Sequence, residues 1–170
     1  MFNKNDVVSY GNSGVCTITG ITEKKFADFK MEYYVLKPVR QDTSTIYVPV
    51  HNEKLMAKMR KILSADEVHD LIKSMPEEEE IWINDSAERK TAYRSIISSG
   101  NPKEVIKVIK TLHRVQMEKE ASGKRLSSSD ECLLNDAKRI LHDEFALVLN
   151  IRPEQVDPFI LKELDDIESN

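Results

Sequence analysis

The side chains able to carry catalysis or hold a metal are few in this chain, and their spacing forms no site. His51, His69, His113 and His142 lie far from one another and from both cysteines, without the short ligand spacing of a metal centre. Gly123-Lys124 lacks the earlier Gly and the following Ser or Thr of a phosphate-binding loop. No Ser sits in a nucleophile-elbow motif. Asp and Glu are plentiful, but they fall on polar helix faces, where solvated surface is the plain reading. No catalytic residue, metal site or cofactor is expected, and the chain reads as a non-enzyme. The chemistry left to it is binding. Tyr33, Tyr34, Tyr47 and the single Trp82 are the aromatic groups best suited to that.

The net charge of −4 excludes a global basic field for free nucleic acid. Any DNA contact must be local or assisted by a partner. A length of 170 residues fits one or two domains. Apolar content of 40% and charged content of 32% are those of a soluble globular protein. No apolar run approaches the ~20 residues of a membrane span. Met1-Phe2-Asn3-Lys4-Asn5-Asp6 lacks the basic region and apolar core of a signal peptide, so a cytoplasmic protein is expected. Cys16 and Cys132 lie far apart in sequence and read as buried thiols of a reducing compartment rather than a disulfide.

The elements that must position these residues begin with a hairpin. Val7, Val8 and Tyr10, then Val15, Thr17, Ile18, Thr19 and Ile21, favour extended backbone. Gly11-Asn12-Ser13-Gly14 between them is a loop of turn formers. The polar, basic stretch from Thr22 to Phe29 reads as a strand end plus a loop. Glu32 to Lys37 and Ser44 to Val50 read as strands, with Pro38 and Pro49 at ends or edges. Arg40-Gln41-Asp42-Thr43 reads as a turn. About four short strands in this space fit a small antiparallel barrel. Residues 53–63 fit helix and strand alike and read as a connector.

From residue 64 the period is helical. Ser64 and Glu67 have capping-box spacing, with Val68, Leu71, Ile72 and Met75 on one face. A helix after Asn84-Asp85-Ser86 carries Ala92, Tyr93, Ile96 and Ile97. Asn101-Pro102 opens the next, and Ser127 to Ser129 caps the last long one. A short helix is expected from Asp157-Pro158, followed by a frayed acidic tail at 165–170. The fold class is α+β: a β module at 1–52, the connector at 53–63, and an all-α bundle of about four to five helices at 64–170.

The order of these parts resembles the CarD/CdnL family of bacterial transcription regulators. Val8-Ser9-Tyr10-Gly11-Asn12-Ser13-Gly14-Val15 is similar to that family's N-terminal hairpin, Glu32-Tyr33-Tyr34-Val35-Leu36-Lys37 to its second strand region, and Tyr47-Val48-Pro49-Val50-His51-Asn52 to the segment ending its β module. Ser99-Gly100-Asn101 before Val105-Ile106-Lys107-Val108-Ile109 resembles its helix junction, and Leu126-Ser127 through Leu141 its last helix. The resemblance runs to about residue 150.

The resemblance implies a Tudor-like barrel that binds the β subunit of RNA polymerase, and a helical domain lying on promoter DNA at the upstream edge of the transcription bubble. Localisation would be cytoplasmic, on the nucleoid through polymerase. No membrane and no small-molecule substrate are implied. On the polymerase side Lys24, Arg40, Tyr47 and Tyr34 match or stand near the family's contact positions; as plain strand residues the tyrosines are half-buried. On the DNA side the family's wedge implies a role for Trp82. An apolar side chain inserted at a base step offsets unstacking by holding distorted DNA. Between Ile81 and Ile83, Trp82 equally reads as core. Arg89, Lys90 and Arg94 can share one helix face, and Lys124 and Arg125 can reach phosphate from a loop; solvated surface is the other reading of each. The spacing from Trp82 to Arg89 is longer than the family's, and Glu77 to Glu80 would repel phosphate. That acidic run favours an alternative, an adaptor that binds polymerase or another protein without touching DNA.

Overall fold

In the computed structural model, which describes residues 1–40 and 43–170, the chain divides into two compact units, Met1–Ile62 and Leu63–Asn170. Part of the turn expected at 40–43 lies outside the described residues.

The first unit is a five-stranded antiparallel sheet of order β4-β3-β2-β1-β5. Its strands are β1 (Val7–Tyr10), β2 (Val15–Phe26), β3 (Phe29–Pro38), β4 (Ile46–Pro49) and β5 (Met59–Lys61). The first hairpin forms as its turn residues dictate: Gly11 and Gly14 take φ of 43° and 66°, open to glycine at little cost. Val8 pairs with Cys16, and the register slips between Ile18 and Gly20, where an extra residue makes a bulge. Val8, Cys16, Ile18, Tyr34, Leu36, Val48 and Met59 form the core on one face.

Three features depart from the sequence reading. The segment expected to loop after Thr22 continues β2 to Phe26, turns at Ala27-Asp28, and returns as β3 from Phe29. Residues 53–63 contain a single helical turn, α1 (Glu53–Met56), and then β5, which pairs with β1. The sheet is not a closed barrel: β4 and β5, four and three residues long, are its two edges. Pro49 sits on one of those edges, where its missing N–H breaks no ladder.

The second unit contains α2 (Ala65–Ser74), α3 (Ser86–Ser99), α4 (Pro102–Ala121), α5 (Ser128–Leu149) and α6 (Val156–Glu168). Their starts follow their caps. Ser64 and Glu67 close a reciprocal capping box, and Asp85, Asn101 and Ser127 each accept a backbone N–H of the following turn. Gly100 ends α3 in the left-handed region at φ 68°.

Helices α4 and α5 each serve two cores. On one side Val105, Val108, Leu112, Leu133, Leu134 and Ala137 pack with Tyr93 and Ile97 of α3. On the other, Ile106, Leu141 and Phe145 pack with Val68 and Ile72 of α2 and Val156 of α6. The tail expected to fray is helical to Glu168, because Ile160 and Leu164 pack on this second core. Among the described residues, no helix is long and apolar enough to cross a membrane.

Candidate functional site

Each unit carries a cluster of sequence-predicted site residues, one on the sheet and one before and along α3.

On the sheet, pairing fixes which side chains share a face. Lys24 opposes Met31, Phe26 opposes Phe29, and Thr22 opposes Tyr33, so alternation puts all six on the side away from the core. Tyr47 of β4 joins them, its ring 6.4 Å from that of Tyr33 in an edge-on arrangement. The Lys24 ammonium lies 3.4 Å from the Tyr47 ring centroid and 5.9 Å from that of Tyr33. Two aromatic faces hold one cation, an interaction worth roughly 0.5–1 kcal/mol at an exposed site. Phe26 packs beside Tyr33 at 6.5 Å, and Phe29, at the tip, is 69% exposed. The result is an aromatic, singly cationic surface with the composition of a protein interface.

Tyr34 is not part of it. It pairs with Ile21 and Val48, faces the core, and is 1% exposed. Its hydroxyl accepts the Phe2 N–H at 3.3 Å. Alternation required one of Tyr33 and Tyr34 to face out, and it is Tyr33. Arg40 is exposed just beyond β3.

Sequence reasoning missed Phe26, Phe29 and Met31. The available signal was the alternation of Lys24, Phe26, Phe29 and Met31 about Ala27-Asp28. A turn without Gly or Asn hid it.

In the helical unit the segment before α3 places Trp82. Ile81 and Ile83 pack against the α3–α5 core, so the residue between them turns outward. Trp82 is 38% exposed. Both backbone groups of Ile81 are held: its N–H donates to Thr111 Oγ1 at 2.9 Å, and its carbonyl accepts the Tyr93 hydroxyl at 2.7 Å. The indole N–H donates to Asn84 Oδ1 at 3.0 Å. The Arg89 guanidinium lies under the ring, 4.3 Å from its centroid.

Arg89 itself is 6% exposed. Its Nε and Nη2 donate to the two carboxylate oxygens of Asp130, each at 2.9 Å. Nη1 donates to the carbonyls of Ile83 and Asn84 at 2.8 and 3.3 Å. Hydrogen bonding to Asp130 raises the Arg89 pKa against the burial that would lower it. Burial pushes the Asp130 carboxyl up, but Arg89, the Ser127 hydroxyl and Lys119 together hold it below its usual range.

The shared face expected of Arg89, Lys90 and Arg94 is therefore corrected: Arg89 turns inward to Asp130 and its donors are engaged, while Lys90 and Arg94 are exposed on α3. Lys124 and Arg125 are exposed in the loop leading to α5. Two of the four acids at 77–80 face cations of α4. Glu78 pairs with Lys103 at 3.6 Å and Glu80 with Arg114.

Cys16 is buried, and burial pushes its thiol up to about 11; Cys132, expected buried, is exposed on α5. Among the described residues no His, Cys, Asp and Glu gather as a metal site.

Two family models match this chain in sequence order. The CarD-like/TRCF RID domain covers residues 2–63, and the CarD, C-terminal domain covers residues 67–160. A comparison with curated proteins gave no match.

Proposed function

The chain belongs to the CarD family of RNA polymerase-interacting transcription regulators, and we propose that it docks on the polymerase β subunit through its sheet and modulates the promoter open complex through its helical unit. The observation that carries the DNA side of this reading is Trp82: an outward aromatic ring with a fixed indole N–H and a guanidinium beneath it. A ring held this way is pre-organised to enter a base step, since little side-chain freedom remains to be lost.

Docking on polymerase comes first. A chain of net charge −4 binds free DNA weakly and loses that binding steeply with salt. Tethered to polymerase, the same groups act at high effective concentration. Lys90, Arg94, Lys124 and Arg125 supply the local positive charge, and Arg89 acts as a positioning residue for Trp82. The acidic run that favours an adaptor without DNA contact is partly neutralised by Lys103 and Arg114, which weakens that alternative.

The test has two stages. The purified chain should bind RNA polymerase, and Lys24→Glu with Tyr47→Ala should abolish binding. Trp82→Ala should then leave polymerase binding intact and shorten the open-complex lifetime. An unchanged lifetime sinks the wedge role, and no binding by the parent chain sinks the docking role.

A further inference from the structure

An apolar cavity of about 490 Å³ opens in the helical unit, between the end of α2 and helices α4, α5 and α6. It is not used by either cluster described above. Its volume falls within the range of small-molecule sites. Ile109, Leu141, Ile160 and Leu164 line its interior, and Lys138 and His113 are among the polar side chains lining it.

The charges on this lining are unequal in their engagement. Asp157 pairs with His142 at 3.0 Å. Lys110 donates to the carbonyls of Pro76 and Glu78, each at 2.7 Å. Lys138 and His113 have no hydrogen-bond or ion-pair partner among the described residues. The lining therefore offers apolar surface, one ammonium and one imidazole with no such partner among the described residues, and a sole carboxylate, Asp157, that is hydrogen-bonded to His142. An occupant that satisfies both parts has an apolar body and an anionic head.

We infer that this cavity binds an amphipathic carboxylate of the medium-chain fatty-acid class, its alkyl chain among Ile109, Leu141, Ile160 and Leu164 and its carboxylate at Lys138. Removal of the alkyl chain from water supplies affinity in proportion to the area covered. The charge-assisted hydrogen bond at Lys138 sets the orientation. Leu161, at the cavity and 63% exposed, gains cover from the bound chain. The inference is independent of the polymerase reading, since binding is measured with neither polymerase nor DNA present.

The experiment is calorimetric titration of the full chain with decanoate below its micelle concentration, and with decanol as the neutral counterpart. Decanoate should bind saturably with one site per chain. Lys138→Gln should weaken decanoate about tenfold, the scale of one charge-assisted hydrogen bond, and leave decanol unchanged. Leu164→Trp, checked for helical content by circular dichroism, should abolish both by filling the cavity. Absence of saturable binding overturns the inference. So does equal loss of decanoate and decanol in Lys138→Gln, which would remove the carboxylate from the site. Concentration-dependent dimerisation that Leu161→Glu abolishes and decanoate does not displace would assign the cavity to a second copy of the chain, and would also overturn it.

Discussion

Trp82 rests on Arg89, whose guanidinium carbon is 4.3 Å from the ring centroid while two of its nitrogens hold Asp130. One buried cation thus positions an aromatic ring and ties α3 to the first turn of α5. Arg89→Ala leaves Asp130 as a buried unpaired charge, a change that costs about 3–5 kcal/mol. Urea denaturation followed by the fluorescence of Trp82, the only tryptophan, should show that loss. Arg89→Met with Asp130→Leu should recover most of the stability and still leave Trp82 unsupported. A double variant with parental open-complex activity would show that Arg89 does not position the ring.

Acid should weaken the helical unit in two steps, and the sign is the same in both. Burial depresses the His142 pKa despite its Asp157 partner, so the unfolded chain takes up that proton first. Its contribution is present above the ordinary imidazole value of about 6.5 and is lost as pH falls through the lower folded value. The folded Asp130 pKa is also depressed, so its contribution is present above the ordinary carboxylate value of about 3.9 and is lost below it. Urea midpoints measured across this pH range should fall in both windows. His142→Gln should flatten the upper step and Asp130→Asn the lower.

The two thiols should separate cleanly. A buried thiol with its pKa pushed up to about 11 has little thiolate near neutrality. Cys132 is exposed on α5. Ellman titration of the native chain should therefore report one fast thiol, with the second appearing only on denaturation. A Cys132→Ser variant that retained the fast reaction would contradict this assignment.

The turn between β2 and β3 holds Ala27 at a φ of 46°, a region that costs an L-residue roughly 1–2 kcal/mol and glycine little. Ala27→Gly should stabilise the sheet unit by up to about 1 kcal/mol, offset in part by glycine's greater freedom when unfolded. Thermal unfolding of the sheet signal would register the gain. A lower midpoint would mean that the turn is not strained.

Charge reversal at Lys90, Arg94, Lys124 and Arg125 should reduce the promoter footprint of the polymerase-bound chain. It should also flatten the salt dependence, by about one unit of slope for each phosphate no longer neutralised. Polymerase binding measured without DNA should be unchanged. A footprint identical to the parent's would favour the adaptor.

What the sequence made legible was local. Ser64 with Glu67, Asn101 with Pro102, and the Gly11–Gly14 loop carry their instructions within four residues, and the structure follows them. Pairings across long separations were hidden. Arg89 meets Asp130 41 residues away, and nothing in the spacing of Arg89, Lys90 and Arg94 distinguishes the one that turns inward. β5 is three residues long, too short for alternation to separate it from a helical turn. Alternation makes Tyr33 and Tyr34 face opposite ways, but only the pairing of Tyr34 with Val48 decides which is buried.

Beyond Glu23 and Glu32 the β2–β3 pair has no third strand among the described residues: β1 pairs only with Val15–Thr17 of β2, and β4 only with Tyr33–Leu36 of β3. Residues 24–31 are thus an isolated ribbon projecting from a sheet. Such a ribbon is marginal by itself, and about half of its amides point at solvent rather than at the opposite strand. Deuterium uptake should therefore form a gradient along it, fastest at Phe29 and slowing toward Glu23 and Glu32, where the sheet begins. A bound partner covering Lys24, Phe26 and Tyr47 would slow exchange at the fast end and flatten that gradient, so the ribbon serves as a built-in gauge of occupancy, readable amide by amide.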